Sequence, residues 1–276
     1  MPEMQLPKIG FGTWSLAMKD CKGAVAKAIE VGYRFIDTAQ SYRNEKGVGD
    51  GIAAAILKGN VTRDDLIVET KIDILNYAPA KVIKTAKVSL AKLGLEKVDI
   101  LLVHWPAVIF GYKAEKTLPA FSQLVDEGKV GYIGISNFNA KQLDEAIKVC
   151  DKLGKKILVQ QIEHHPLLQQ REMRKLLSDN DIYLVAYSPI LRGKAGTVPE
   201  LTQVAKKHGV SAAQVSLAWE MEHGAIPIPK ATSEVHIKDN FAAQDLILDK
   251  EDIDLIDSIK VEKRIVKSPS FFHGGW

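Results

Sequence analysis

The stretch GYRFIDTAQSYRNE, residues 32–45, decides how the chain is read. Phe35 and Ile36 form an apolar run that stops at Asp37, a carboxylate unsuited to whatever buries its two predecessors, and Tyr42 follows five residues later. An acid and a phenol at the end of a buried strand call for partners, so the ends of the other strands become the place to look.

Short apolar runs rich in β-formers alternate with amphipathic stretches almost to the C-terminus, the pattern of a parallel sheet with crossover helices. Strands are expected near Lys8 to Gly12, Arg34 to Asp37, Leu66 to Lys71, Val98 to His104, Tyr132 to Ser136, Ile157 to Ile162, Tyr183 to Tyr187 and Ala225 to Ile228. A short N-terminal hairpin is read ahead of them. Thr62 with Asp65, Asn139 with Gln142, and Pro79 at a first turn are expected helix starts. Between strands seven and eight, Pro199 to His208 and Ser211 to Glu222 read as two helical segments, and a further helix is expected near Lys250 to Ser258. No linker or repeat divides residues 1–276, so a single domain of α/β class is expected; a (β/α)8 barrel of about 250 residues suits the length.

Composition narrows the function classes. With 37 basic and 34 acidic residues among 276, a formal charge of +3 and no long block of one sign, neither nucleic acid nor an anionic membrane is implied as a partner. Cys21 and Cys150 form no Cys-x-x-Cys pattern and suit a reducing compartment. The N-terminus shows no basic-then-apolar leader, and the longest uncharged run, Ile100 to Tyr112, is shorter than the ~18 residues of a membrane span. A cytoplasmic location is expected.

The remaining strands also end in polar residues: Lys71, His104, Ser136-Asn137, Gln161 with Glu163, Tyr187-Ser188, and Lys230 beyond strand eight. In a parallel barrel these ends share one face, where such barrels build their active sites. Wet loops alone account for one or two such residues, less easily for an Asp, a Lys and a His each closing an apolar run. A phenol of unperturbed pKa ~10 becomes a stronger acid beside an ammonium, which Lys71 could supply to Tyr42. A buried lysine needs a counter-charge, which Asp37 could supply. Neutral His104 can orient an incoming oxygen. Such a set protonates an oxygen that gains charge as hydride adds to a carbonyl carbon; none of the four is a hydride source, so a cofactor is required.

At these positions the chain resembles the aldo-keto reductase family. The matching pieces are GFGTW (10–14), GYRFIDTAQSYRNE, VETK ending at Lys71, LLVHWP (101–106), GYIGISNF (131–138), VQQIEHHP (159–166), LVAYSPILRG (184–193) and IPIPKATSEVHIKDNF (226–241), in family order across nearly the whole chain. The resemblance implies a (β/α)8 barrel, reduction of aldehydes or ketones, a nicotinamide cofactor bound without a Rossmann domain, a monomer, and the catalytic set Asp37, Tyr42, Lys71 and His104. It places Ser136, Asn137 and Gln161 on the carboxamide and Tyr187 against the nicotinamide ring. Thr13 and Asp37 are also expected to contact the cofactor, and Ser188 and Ile190 to pass near the pyrophosphate. Lys230 falls at the adenosine 2′-phosphate and Asn240 at the adenine, with Thr232 and His236 as further cofactor contacts. Trp14 and Trp105, with Tyr42 and His104, would wall the substrate pocket.

Three departures from the family pattern bear on the cofactor. Ala231 and His236 stand where the family often has serine and arginine, which weakens recognition of a 2′-phosphate because histidine cannot make arginine's bidentate contact. The retained Lys230 makes NADP(H) the expected cofactor and leaves NAD(H) open. Leu191 stands where glycine is common, so its loop should close differently. Short segments at Ala107 to Leu118 and at the C-terminus suggest an open pocket, and Phe271, Phe272 and Trp276 either line it or cover the barrel.

Glu163-His164-His165 invites a metal site, but no third ligand or His-x-x-x-His accompanies it, so no metal is expected and His164 reads as a packed strand-end residue. Gly10-Phe11-Gly12 lacks the third glycine of the dinucleotide fingerprint. A regulatory subunit that binds the cofactor with little turnover is the alternative function.

Overall fold

The computed structural model describes residues 4–59 and 61–266. Eight parallel strands lie side by side in chain order: β1 (Phe11–Gly12), β2 (Phe35–Asp37), β3 (Ile67–Ile72), β4 (Val98–Val103), β5 (Val130–Ser136), β6 (Ile157–Glu163), β7 (Tyr183–Tyr187) and β8 (Ala225–Pro227). Each neighbouring pair is parallel. The first and last segments meet through Gly10 N–H to Pro227 O, 2.9 Å, and Gly12 N–H to Pro229 O, 3.1 Å, which curl the sheet into a (β/α)8 barrel. Gly12 is needed there, because a Cβ on it would sit 2.5 Å from the Ile228 carbonyl oxygen.

Among the described residues the α-helices are α1 (Met18–Val31), α2 (Glu45–Leu57), α3 (Pro79–Leu93), α4 (Ala114–Asp126), α5 (Ala140–Lys152), α6 (Arg171–Asp179), α7 (Pro199–His208), α8 (Ala212–Glu222), α9 (Glu234–Ala242) and α10 (Lys250–Asp257). The expected pair of helices between strands seven and eight forms as α7 and α8. Asn139 and Gln142 close a reciprocal cap on α5, and Pro79 opens α3.

The strands read as nearly unbroken apolar runs because both faces are covered. Outward residues such as Ile36, Val68, Leu101, Val103, Ile133 and Ile135 pack under the helices. Inward residues Phe35, Ile100, Leu102, Val159, Val185 and Ile226 fill the barrel. This alternation fixes which side chains can reach the mouth, since the inward series continues as Asp37, Glu69 with Lys71, His104, Gln161 with Glu163, and Tyr187.

Two local expectations are corrected. No strand or hairpin forms over residues 4–10; Met4 and Leu6 pack against the interior cluster instead, so that segment plugs the barrel rather than pairing with itself. Thr62 and Asp65 do form their reciprocal cap, but it opens only a three-residue turn, Arg63–Asp65, because the apolar run into β3 follows at once. Phe271, Phe272 and Trp276 lie outside the described residues.

Candidate active site

Lys71 sits at the centre of the mouth, fully buried, with its ammonium on the Asp37 carboxylate. It also donates to the Thr38 carbonyl at 3.0 Å and to the Tyr42 hydroxyl at 3.1 Å, and lies 4.9 Å from the centre of the Tyr42 ring. Tyr42 arrives on a short turn, Gln40–Tyr42, just past β2, and its ring meets the edge of His104 at 5.8 Å between centres. Ser41 Oγ lies 3.3 Å from His104 Nδ1. The four groups therefore meet: two from the end of β2 and its turn, one from β3, one just past β4.

The protonation states follow from burial and neighbouring charge. Burial disfavours the Lys71 ammonium, but Asp37, Tyr42 and Glu69 outweigh it and the pKa rises. For Tyr42 the outcome is the reverse of the sequence expectation. Burial raises the phenol more than Lys71 lowers it, and the pKa stands at about 12. Burial and the Lys71 charge push His104 down to about 3, so its imidazole is neutral.

A second tier orients the first. Thr13 is buried and donates its hydroxyl to the Asp37 carbonyl at 2.8 Å. Gln161 Nε2 donates to Asp37 Oδ1 at 3.0 Å and to Glu69 Oε1 at 2.5 Å. Asn137 is held at φ 64°, its backbone N–H on the Gln161 carbonyl. Its side chain donates to Ser136 Oγ at 2.8 Å and to the His104 carbonyl at 3.0 Å, and accepts from the Tyr187 hydroxyl at 2.8 Å. Ser136, Asn137, Gln161 and Tyr187 thus form one connected rim beside the Lys71 cluster.

The remaining expected residues run away from this centre. Ser188, at φ 56°, and Ile190 follow β7. Lys230, Thr232 and His236 are exposed on the approach to α9 and its first turn, where Ser233 accepts the His236 N–H at 3.3 Å, and Asn240 is buried further along that helix. Lys230 makes no ion pair with any described residue. Trp14 is 49% exposed, with the Arg192 guanidinium 4.5 Å from its ring centre. Leu191 adopts φ 53°, the left-handed backbone that a glycine favours, with its side chain buried.

Glu163, His164 and His165 are engaged in other work. Glu163 accepts from His165 Nε2 at 3.0 Å and from the backbone N–H groups of Ile265 and Val266 at 2.5 and 3.1 Å, tying that segment to the mouth. His164 is buried against Trp219 and Glu220. Among the described residues no group of three or more such side chains is arranged to hold a metal ion.

Sequence reasoning missed two residues. Tyr77 is buried and both donates to the Trp105 carbonyl (2.7 Å) and accepts the Trp105 N–H (3.0 Å), pinning the loop that carries His104 and Trp105. Nothing in the local pattern marks it. Glu69 was readable in principle, because it stands two residues before Lys71 on the same strand and must share its face.

The structure is thus a parallel (β/α)8 barrel whose mouth assembles a tyrosine, a lysine, an aspartate and a histidine around one opening. The model of the Aldo/keto reductase family matches residues 8–261, and the chain belongs to that family. The 9,11-endoperoxide prostaglandin H2 reductase of Trypanosoma cruzi (strain CL Brener) is 38% identical over 277 residues, covering 99% of this chain and 94% of that protein. The glyoxal reductase of Bacillus subtilis (strain 168) is 35% identical over 267 residues, covering 96% and 93%. A crystal structure of an aldo/keto reductase from Brucella melitensis superposes with a TM-score of 0.83 at 36% identity, over 91% of this chain and 93% of that one. The protein is thus an oxidoreductase of a family that acts on carbonyl compounds with nicotinamide cofactors. No helix among the described residues is long and apolar enough to cross a membrane.

Proposed function

We propose that the protein reduces aldehydes or ketones to alcohols with a bound reduced nicotinamide dinucleotide, and that Tyr42 donates the proton. The single observation that carries this reading is the contact of the Lys71 ammonium with the Tyr42 hydroxyl at 3.1 Å, with Asp37 behind the ammonium and His104 against the phenol ring.

The rim fits the cofactor's polar end. A carboxamide offers both donors and an acceptor; Asn137 and Gln161 are amides of the same double character, and Ser136 adds a hydroxyl. Asn137 is already fixed by Tyr187 and Ser136, so little ordering is left for binding. The dinucleotide, when bound, supplies the hydride. The protein's own groups do the rest. His104, neutral, donates to the carbonyl oxygen and aims the carbonyl carbon. Tyr42, with its pKa near 12, stays protonated through the neutral range and holds its proton ready. As the substrate oxygen gains charge, that proton moves to it, and Lys71 stabilises the phenolate left behind. Asp37 keeps Lys71 charged and in place, and solvent returns the proton to Tyr42.

Lys230, exposed ahead of α9 and in no ion pair with a described residue, suits a 2′-phosphate, so NADPH is the favoured cofactor. Ala231 and His236 lower that preference, and NADH use follows if their loss outweighs Lys230. The test mixes purified protein with NADPH or NADH and a panel that includes glyoxal, the compound named for the Bacillus subtilis relative. Loss of reduced-nicotinamide absorbance supports the reading and ranks the cofactors. Tight dinucleotide binding with no turnover on any aldehyde points instead to a regulatory subunit.

A further inference from the structure

Two carboxyl groups converge beneath Lys71 where one would balance it. Asp37 and Glu69 are opposite one another in the β2–β3 register, both side chains face inward, and both are buried. A single amide nitrogen, Nε2 of Gln161, donates to Asp37 Oδ1 at 3.0 Å and to Glu69 Oε1 at 2.5 Å. The ammonium of Lys71 is committed to Asp37, the Thr38 carbonyl and Tyr42. Glu69 Oε2 is buried, and no hydrogen-bond donor among the described residues reaches it.

The charged and titratable groups facing Glu69 are Asp37 from β2, Lys71 from its own strand and Tyr42 from the turn beyond β2. Gln161 faces it from β6, and the rest of the interior is the apolar set Phe35, Ile100, Leu102, Val159, Val185 and Ile226. One ammonium cannot neutralise two buried carboxylates, and a buried carboxyl without a counter-charge keeps its proton. Burial, with the nearby Asp37 charge, accordingly holds the Glu69 carboxyl well above its ordinary range.

We propose that Glu69 is a positioning residue for the proton transfer. As a neutral acid it fixes Gln161 and Asp37 under Lys71, and when it ionises at higher pH its negative charge offsets the Lys71 field and makes Tyr42 a weaker acid. The inference rests on the reading of Tyr42 as proton donor. Its consequence is a loss of carbonyl reduction on the alkaline side that belongs to Glu69 and not to the tyrosine itself. Substituting glutamine keeps a neutral hydrogen-bonding group of the same shape and removes the titration.

The experiment follows kcat for aldehyde reduction from pH 5.5 to 9.5 in the unaltered protein and in Glu69→Gln. The ratio of variant to unaltered kcat is expected to rise with pH, about fivefold or more across the range, while KM for the dinucleotide moves little at either end. Superimposable profiles would overturn the inference, since a merely structural role scales both curves equally. A second measurement needs no activity: in infrared spectra of the full-length protein labelled with 13C-glutamate, the protonated carboxyl band at pH 7 should be weaker in Glu69→Gln than in the unaltered protein, Glu220 supplying the band that remains. Identical bands in the two proteins overturn the inference even if Tyr42 proves to be the proton donor. A band weakened by Glu69→Gln in a protein without turnover leaves Glu69 neutral and condemns only the reductase reading.

Discussion

Two clusters of buried ionisable groups sit near the same end of the barrel, and they are built from similar parts. At the mouth, Lys71, Asp37 and Glu69 are buried and joined by Gln161. Behind β6, His164 is bonded to Glu220, with Nε2 on the Gln169 carbonyl at 3.1 Å and its ring stacked on Trp219 at 5.2 Å and 15°. Both contain strongly displaced titrations: burial drives His164 down to about 3 and Glu220 well above its ordinary range, so that pair rests as neutral imidazole and neutral acid. The difference lies in what each cluster touches. Lys71 reaches Tyr42, which is partly open to the mouth, whereas His164 and Glu220 are walled in by Trp219 and closed off by the loop of Gln169. Burial and displaced titration mark both sites alike, and access to an incoming molecule separates the proposed reacting site from the bracing one.

Lys71→Met should have the largest effect. It strips the charge partner from a buried Asp37, at a cost of about 3–5 kcal/mol in unfolding free energy. The same change should abolish turnover, so urea unfolding and kcat report loss together. His164→Ala should cost about 2–4 kcal/mol through lost packing and an unpartnered Glu220, yet leave kcat within about threefold below the unfolding temperature. Equal loss of turnover in the two variants would erase the distinction between the clusters.

The pH dependence sharpens the same contrast. His164 in the folded protein has its pKa lowered to about 3 from an ordinary value of 6.5. The unfolded chain therefore binds the extra proton over that interval, and stability falls as pH drops from about 6.5 toward 3. Chemical unfolding of His164→Asn should show a shallower fall over this window. Part of the slope should remain, because His104 is displaced in the same direction. The smallest expected effect is at Leu191→Gly: glycine relieves about 1 kcal/mol of left-handed strain but gives up about 2 kcal/mol of side-chain burial. A net loss near 1 kcal/mol in thermal or urea unfolding is expected.

The barrel was legible because parallel strands covered on both faces leave dense apolar runs, as at Val98 to Val103, and because α5 and α3 carry local start signals at Asn139 and Pro79. Local signals failed where tertiary packing decided. The cap at Thr62 forms, but Leu66 and Ile67 are already committed to β3; Met4 and Leu6 find the barrel interior a better partner than each other. The candidate site was legible as residue types at strand ends. Its energetics were not: the net effect on Tyr42 depends on a burial that no spacing reveals, and Glu69 was passed over because a lone acid inside VETK looks like a solvent-facing strand residue. Tyr77, holding the Trp105 backbone from the loop after β3, joins elements that only the fold brings together.

The central claim is that the phenol held by Lys71 delivers the proton. Tyr42→Phe keeps the ring against His104 and removes only the hydroxyl, so single-turnover reduction with the preferred dinucleotide, alongside its binding measured by fluorescence, tests the claim directly. The account predicts a fall in rate of about a thousandfold or more with cofactor affinity within about threefold. Turnover at or near the unaltered rate would contradict it.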